Sequence, residues 1–302
     1  MELHVINGFL GSGKTTAIIA AAKILIQQGK IVGVVTNDKG QFQVDNAFFE
    51  SRHIPTQQVA GGCFRCSYSE FEEKIVQLQD SNSPDIIFAE SVGSCVDLVN
   101  TIFSPIIENT RLKVEKTTYS VFTDIRLFQR WIHQEPLPFS DQINYLFTKQ
   151  IEEGRLLVLN KSDLFSMDQQ RGILKLATEK LQEKTVFLQN SFDQSSVLPW
   201  LSALENDIAI KNHPGFVVNY PIYKSGEREM AWFDRKFTLK SETPKEIKEA
   251  LIEMIRLLIM GLQSENVPIG HIKLLISYPE ESTKISFVTA DFLEHTITSH
   301  WK

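Results

Sequence analysis

Short apolar runs recur along the N-terminal part of the chain, and small or polar residues follow each of them. Such runs are typical of strands that are buried on both faces of a parallel sheet. Between the first two runs lies a stretch of good helix formers, Thr16 to Gln28, which ends at Gly29. This βαβ order predicts an α/β fold with a mostly parallel sheet flanked by helices. The predicted strands are Leu3–Asn7, Ile31–Thr36, Pro84–Ala89, Thr118–Thr123, Leu156–Leu159 and Thr185–Leu188.

The pattern changes in the C-terminal part of the chain. His213–Gly215 reads HPG and indicates a linker, so we predict domains at residues 1–212 and 213–302. Beyond it, Trp232–Lys240 alternates like a strand, and Thr243–Gln263 has the wide apolar face of a helix that covers a core. The remaining segments, Ile272–Tyr278 and Lys284–Thr289, are typical of an antiparallel strand pair. These elements predict a small C-terminal α+β domain of about ninety residues.

Composition narrows the class of protein. The net charge of −6 gives no general attraction to nucleic acid or to an anionic membrane. Three cysteines among 302 residues do not make a disulfide framework, so we expect a cytoplasmic protein. The first strand begins almost at Met1 without a basic leader, and Ala17–Ile26 is too short to span a bilayer. We therefore expect neither a signal peptide nor a membrane span.

The segment Gly8–Thr16 reads GFLGSGKTT and fits the phosphate-loop pattern G-x-x-x-x-G-K-[ST] between a strand and a helix. Glycines let backbone N–H groups approach a phosphate chain, and the N-terminus of the helix attracts anions. Lys14 would reach the terminal phosphates and assist catalysis, and the Thr15 hydroxyl would bind Mg²⁺. A glycine-rich turn that only caps a helix is the alternative. The predicted phosphate-binding residues are Gly11, Ser12, Gly13, Lys14, Thr15 and Thr16.

Two further segments follow predicted strands, at the sheet edge where the phosphate loop lies. Asp38 follows the second strand and is either a magnesium ligand or a turn residue, with equal weight. Glu90 follows the strand at Pro84–Ala89 and could order a magnesium-bound water or the attacking water. Gly93 could offer its backbone N–H to a γ-phosphate. We predict Glu90 as a catalytic and magnesium-site residue.

Asn160, Lys161, Ser162 and Asp163 form the string N-K-x-D directly after a predicted strand. The carboxylate of Asp163 can accept from the N1–H and the exocyclic amine of guanine, and adenine lacks that pair of donors. The aliphatic part of Lys161 can cover the base or the loop. The predicted base-binding residues are therefore Asn160, Lys161 and Asp163, and GTP is the expected nucleotide.

Cys63 and Cys66 have C-x-x-C spacing after a glycine pair. Two thiols can hold a borderline cation such as Zn²⁺, Co²⁺ or Ni²⁺, but the chain has no second cysteine pair to complete a four-ligand site. The site would have to be open, completed by other residues, or shared across a dimer. A redox pair or two incidental thiols are the alternatives. Cys95 is expected to pack as a small apolar residue, and His271, His295 and His300 as surface or packing residues.

From Val5 to about Leu164 the chain resembles the CobW-like GTPases, metallochaperone-type P-loop GTPases related to those that insert nickel into urease and hydrogenase. The resemblance implies a P-loop NTPase fold and GTP hydrolysis coupled to delivery of a metal ion or metal cofactor to a client metalloprotein. It also suggests a GTP-dependent homodimer. Arg65 stands where the family has the middle thiol of Cys-x-Cys-Cys, and Gln41 replaces an acid. The matching residues are Gly8–Thr16, Asn37, Asp38, Gly40, Asp45, Gly61–Cys63, Cys66, Glu90, Gly93, Asp124, Gln150–Glu152 and Asn160–Asp163.

Three functions remain open at this stage. The first is a metallochaperone in which Cys63 and Cys66 bind a cation with an affinity that depends on the nucleotide. The second is a GTPase switch that activates or repairs a corrinoid enzyme or another metalloenzyme without carrying metal. The third is a P-loop small-molecule kinase, which the guanine-binding string disfavours because such kinases do not need to recognise guanine. Arg65 is a catalytic arginine candidate by position only.

Overall fold

A computed structural model describes residues 1–37, 44–59, 63–108, 111–206, 217–230, 232–241, 243–267, 269–277 and 282–288. In these ranges, seven strands form one sheet in the order β3-β2-β4-β1-β5-β6-β7, and every neighbouring pair is parallel. The strands are β1 Glu2–Gly8, β2 Val32–Asn37, β3 Thr56–Val59, β4 Ile86–Glu90, β5 Lys116–Asp124, β6 Leu156–Asn160 and β7 Thr185–Gln189. The predicted α/β fold is confirmed.

Helices cover both faces of this sheet. The first, α1, starts directly after the phosphate loop and is followed by Gly29, where the sequence predicted the helix to end; the φ of 82° there is left-handed. A π-helical turn at Val99–Phe103 precedes α4, and a 3₁₀ turn follows β6 at Ser162–Leu164. The α-helices are α1 Lys14–Gln27, α2 Val44–Glu50, α3 Tyr68–Asn82, α4 Ser104–Glu108, α5 Ile125–Ile132, α6 Asp141–Glu153, α7 Met167–Lys180, α8 Gln194–Asn206, α9 Tyr220–Glu229 and α10 Pro244–Ser264.

Each predicted strand of the N-terminal part forms, and the sequence pattern missed β3. Its first three residues, TQQ, are polar and half-buried, because β3 is the edge strand beside β2, and only Val59 is buried. The strands in the middle of the sheet are fully buried, which is why their apolar runs were visible in the sequence. One apolar layer centres on Trp200 of α8, whose ring packs against Phe88 and Phe122 and whose indole N–H donates to Ser120 Oγ at 2.9 Å.

The C-terminal part contains α10 and an antiparallel hairpin of β8 Ile272–Ser277 and β9 Ser282–Phe287, as predicted. Leu251, Ile255 and Ile259 of α10 pack with Ile285 of β9 in a small core of their own. The predicted strand at Trp232–Lys240 is wrong: the described residues there have no regular structure, and Phe233 is 83% exposed. Alternation alone does not form a strand, because an extended segment also needs a partner for its backbone hydrogen bonds.

Helix α9 packs on the nucleotide-binding part of the molecule. Tyr223 is fully buried against Leu146 and Val96, and the backbone of Gly226 lies so close to α6 that a Cβ there would be 2.6 Å from Gln142 O. The proposed boundary between residues 212 and 213 falls outside the described residues, so the division into two domains stays a prediction.

Candidate nucleotide and metal site

The phosphate loop connects β1 to α1 with glycines that other residues could not replace. Gly8 has a φ of 142°, and a Cβ there would lie 2.0 Å from Phe122 O in the neighbouring strand. Gly13 has a φ of 87°, and its Cβ would lie 2.3 Å from Asn160 Nδ2. The loop therefore keeps its backbone bare at the N-terminus of α1, as an anion cradle requires.

Lys14 is buried and holds its ammonium inside the loop. Its Nζ donates to Gly8 O at 2.7 Å and to Phe9 O at 3.4 Å. Burial lowers the pKa of Lys14 to about 8, Glu90 opposes this decrease, and Lys273 adds to it. The buried hydroxyl of Ser12 has no hydrogen-bond partner among the described residues. The Lys14 ammonium, the Ser12 hydroxyl and the side-chain-free backbone of the loop together suit the binding of a phosphate chain.

Two carboxylates converge on the Thr15 hydroxyl. Thr15 Oγ1 lies 2.8 Å from Glu90 Oε1 and 3.1 Å from Asp45 Oδ1, and all three residues are buried. A hydroxyl and two carboxylates are the oxygen ligands that Mg²⁺ takes beside phosphates. Glu90 is therefore where the sequence predicted it, and Asp38 lies outside the described residues. Reasoning from residue types did not place Asp45 beside Thr15, although Asp45 was among the residues that match the family.

The segment after Glu90 is held against the phosphate loop. The backbone of Gly93 lies against Leu10, since a Cβ on Gly93 would be 2.9 Å from Leu10 N. Gln150 Nε2 of α6 donates to the carbonyls of Gly93 and Cys95, at 3.0 and 2.9 Å. The C-terminal end of this segment is held by Glu153, whose carboxylate accepts hydrogen bonds from the backbone N–H groups of Asp97 and Val99 at 2.9 and 2.8 Å. Burial raises the pKa of Glu153 to about 7.

The N-K-x-D string, which is predicted to bind the base, follows β6 and is connected to the phosphate loop by hydrogen bonds. Asn160 is buried, and its Nδ2 donates to Ser12 O at 2.8 Å while its Oδ1 accepts from Ser191 Oγ at 2.8 Å. Asp163 lies in the 3₁₀ turn and is exposed, where it can accept from a base. The structure thus brings Asn160 and the phosphate loop together and leaves the Asp163 carboxylate accessible.

Asp124, at the end of β5, anchors Lys161 of the same string. Lys161 Nζ lies 3.0 Å from Asp124 Oδ2, and Arg126 donates to both oxygens of that carboxylate at 2.9 and 2.6 Å. Burial alone would raise the pKa of Asp124, but Lys161 and Arg126 outweigh it and lower the pKa to about 2. Lys161 has a left-handed φ of 61°, so this ion pair fixes an uncommon backbone conformation.

The predicted thiol pair forms a cluster with the third cysteine. Cys63 Sγ lies 3.3 Å from Cys66 Sγ; Cys63 is buried and Cys66 is exposed. The pKa of the Cys63 thiol falls to about 5, mainly because the Cys95 thiol hydrogen-bonds to it, with burial opposing and Cys66 adding to the decrease. Cys95 is buried in the apolar core, as expected, but the expectation that it only packs there was incomplete.

Arg65 points to α9. Its guanidinium lies 4.6 Å from the ring centre of Tyr223 and 5.1 Å from that of Tyr220. The Tyr220 hydroxyl in turn donates to Asp97, and Ser94 Oγ donates to Glu227 at 3.3 Å. Arg65 is not among the described residues that line the phosphate site. This conformation therefore does not support Arg65 as a catalytic arginine.

Within the described ranges, no three His, Cys, Asp or Glu side chains are arranged to hold a metal ion. A transition-metal site at Cys63 and Cys66 stays a prediction, as does the source of any further ligands. The same ranges contain no helix with the length and apolar character needed to cross a membrane.

Comparisons with known proteins indicate the family of this chain. The zinc chaperone YjiA of Escherichia coli strain K12 is 29% identical over 161 residues, or 49% of each chain. The zinc chaperone CobW of a Sinorhizobium species is 25% identical over 235 residues, which cover 68% of this chain and 64% of CobW. The chain thus spans about half of YjiA and less than two thirds of CobW.

Among solved structures, HypB from Helicobacter pylori in complex with nickel has a TM-score of 0.50 at 15% identity, covering 71% of this chain and 92% of HypB. This similarity concerns the fold alone. A family model for the CobW/HypB/UreG nucleotide-binding domain matches residues 2–189. The chain therefore belongs to the CobW/HypB/UreG family of GTP-binding P-loop proteins.

Proposed function

We propose that this protein hydrolyses GTP and couples hydrolysis to the transfer of a transition-metal ion to a client metalloprotein in the cytoplasm. Phosphate binding falls to the loop residues Gly11 to Thr16, with Lys14 stabilising charge on the terminal phosphates. Thr15, Asp45 and Glu90 hold Mg²⁺, joined by Asp38 if its loop reaches the site. Glu90 also orders the attacking water, and Gly93 donates its backbone N–H to the γ-phosphate. Asn160, Lys161 and Asp163 select guanine.

The 3.3 Å distance between the sulfur atoms of Cys63 and Cys66 carries the metal half of this proposal, and the neighbouring Cys95 supplies the link to the nucleotide. Cys63 belongs to the thiol pair, whereas Cys95 lies five residues after Glu90 in the segment beside the phosphate loop. A shift of that segment on GTP binding would change the surroundings of the Cys63 thiolate. Thiolates are ligands for Zn²⁺, Co²⁺ and Ni²⁺, and the curated relatives are named zinc chaperones.

The second candidate is a GTPase switch that acts on a metalloenzyme without carrying metal. Two observations favour it: no three-ligand group occurs in the described ranges, and Arg65 stacks on tyrosines where the family has a thiol. In the metallochaperone, the missing ligands come from the client or from a second copy of the chain in a GTP-dependent homodimer.

A cobalt titration distinguishes the two candidates. Reduced protein is titrated with Co²⁺, with and without Mg²⁺ and a non-hydrolysable GTP analogue, beside a Cys63→Ala/Cys66→Ala variant. The proposal expects cobalt–thiolate absorption only with the thiols present, and an affinity that the nucleotide changes at least about tenfold. A Cys95→Ala variant should keep the absorption and lose most of the nucleotide effect. Equal binding by wild type and double variant, or binding by neither, would support the switch instead.

A further inference from the structure

The open end of the β8–β9 hairpin, together with the residues that flank its two strands, lies directly on the phosphate loop. A Cβ built on Gly11 would lie 1.8 Å from Val288 Cγ1 and 3.6 Å from His271 Cδ2. Gly270 lies against Leu10 on the same loop, where a Cβ would be 3.4 Å from Leu10 Cδ1. The hairpin therefore covers the backbone that the phosphates would contact.

Lys273 of β8 carries a positive charge into the magnesium site. Its ammonium forms an ion pair with Asp45 Oδ2, while Asp45 Oδ1 lies 3.1 Å from Thr15 Oγ1. The Asp45 side chain is 6% exposed and that of Lys273 is 23% exposed, so water screens this pair only in part. One carboxylate thus faces both the magnesium-binding hydroxyl and a lysine from a distant part of the chain.

The space left at this site is too small for a nucleotide. The cavity between the phosphate loop and the hairpin has a volume of about 40 Å³, and its walls include Trp232, His271, Lys273 and Ser286 from the C-terminal part. Ligand pockets usually measure about 300–1,000 Å³. Phosphates and Mg²⁺ can enter only if the hairpin moves away or its side chains withdraw.

We propose that Lys273 is an internal cation that competes with Mg²⁺ for Asp45, so that binding of Mg²⁺ and GTP displaces the β8–β9 hairpin from the phosphate loop. The inference rests on the proposed Mg²⁺ and GTP site. Asp45 loses its ion pair with Lys273 when it binds Mg²⁺. The closed hairpin and the nucleotide-loaded site are therefore alternative states. By linkage, anything that holds the hairpin closed weakens nucleotide binding by the same factor.

This competition gives the C-terminal part a role in the nucleotide cycle. The empty protein keeps its phosphate loop covered, and the loaded protein exposes the face of the hairpin that carries His271, Lys273 and Ser286. A partner that binds this exposed face would favour the GTP-loaded state, because it binds one of the two states only.

The test measures binding of a fluorescent, non-hydrolysable GTP analogue as a function of Mg²⁺ concentration. Lys273→Met removes the charge and keeps the side-chain length, and Lys273→Arg keeps the charge. Lys245→Met is the matched control, since Lys245 lies on α10 with an 84% exposed side chain. We expect Lys273→Met to lower the Mg²⁺ concentration for half-maximal binding by at least about fivefold, the low end of common coupling between sites. Lys245→Met and Lys273→Arg should stay close to wild type.

Acylation of lysines followed by mass spectrometry reports the movement itself. In wild type, Mg²⁺ with the analogue should raise the reactivity of Lys273 and lower that of Lys14. Weaker analogue binding by Lys273→Met, with Lys273 protected by nucleotide, would overturn the competition and make Lys273 a phosphate ligand. Equal Mg²⁺ dependence in all variants would also overturn it, while leaving the proposed GTP site intact. Absence of analogue binding in wild type and in every variant would instead contradict the proposed function.

Discussion

Asp124 offers a direct test of how the base-binding string is held in place. Its buried carboxylate pairs with Lys161 and Arg126 and also accepts the backbone N–H of Arg126 at the start of α5. Replacing Asp124 by Asn removes the charge and keeps a side chain that can cap the helix. We therefore attribute the expected effect to the two ion pairs rather than to the loss of a cap.

The magnitude follows from the pKa of Asp124. A decrease from the ordinary value of 3.8 to about 2 corresponds to about 2.4 kcal/mol of stability, at roughly 1.4 kcal/mol per pKa unit. Because the pKa is lowered by folding, this contribution is complete above about pH 4 and is lost as the pH falls toward 2. At neutral pH we expect Asp124→Asn to lower the free energy of unfolding by about 2 kcal/mol.

Urea denaturation followed by circular dichroism measures this free energy. A double-mutant cycle with Lys161→Met should give a coupling energy of about 1 kcal/mol, because the two side chains touch at 3.0 Å. Asp168→Asn is the control: Asp168 pairs with Arg171, both side chains are largely exposed, and the expected change is within about 0.5 kcal/mol. If Asp124→Asn costs no more than Asp168→Asn, the ion pairs do not hold the string and this reasoning is refuted.

Three further predictions concern the site itself. Asp163→Asn should weaken GTP binding at least about 100-fold and strengthen binding of xanthosine triphosphate, as measured by nucleotide competition, because a carboxylate accepts from the two guanine donors whereas an amide can donate to the C2 carbonyl of xanthine; an unchanged preference for GTP would exclude Asp163 from base recognition. In the Lys273→Met background, where the competing ion pair is absent, Asp45→Asn should raise the Mg²⁺ requirement for binding of a GTP analogue about tenfold or more by loss of a carboxylate ligand, and an unchanged requirement would contradict its assignment. Gly8→Ala should give little folded protein by circular dichroism, since its Cβ would lie 2.0 Å from Phe122 O; a variant as stable as wild type would contradict that contact.

The sheet and the phosphate loop could be predicted because their signals are local. A fully buried strand such as β4 needs an unbroken apolar run, and the loop needs its glycines at fixed spacing. Strand β3 gave no such signal, because an edge strand tolerates the three polar residues that precede Val59. The alternation at Trp232–Lys240 misled for the opposite reason, since the local pattern is present there but no described strand pairs with it.

The site residues that the sequence did not predict are brought there by contacts between residues far apart in the chain. Asp45 reaches Thr15 because β1 and β2 flank β4 and end at the same edge of the sheet. Lys273 reaches Asp45 across more than two hundred residues, and nothing around Lys273 in the sequence marks it as a site residue. Cys95 likewise contacts Cys63 through the fold alone. Residue types and spacing predict which chemistry a chain carries, whereas these pairings depend on the strand order.

Asn7 connects the nucleotide site with the thiol cluster. It is the last residue before the phosphate loop, and its Nδ2 donates to Cys95 O at 3.1 Å while its Oδ1 accepts from Ser91 Oγ at 2.6 Å. Asn7 therefore holds the segment that follows Glu90 at two points, Ser91 and Cys95. If GTP draws Gly93 toward the γ-phosphate, these hydrogen bonds must lengthen or rearrange, and Cys95 moves with them. The proposed coupling between GTP and metal thus needs no long chain of intermediate contacts. The buried side-chain amide of Asn7 links the phosphate loop directly to the segment that carries Cys95.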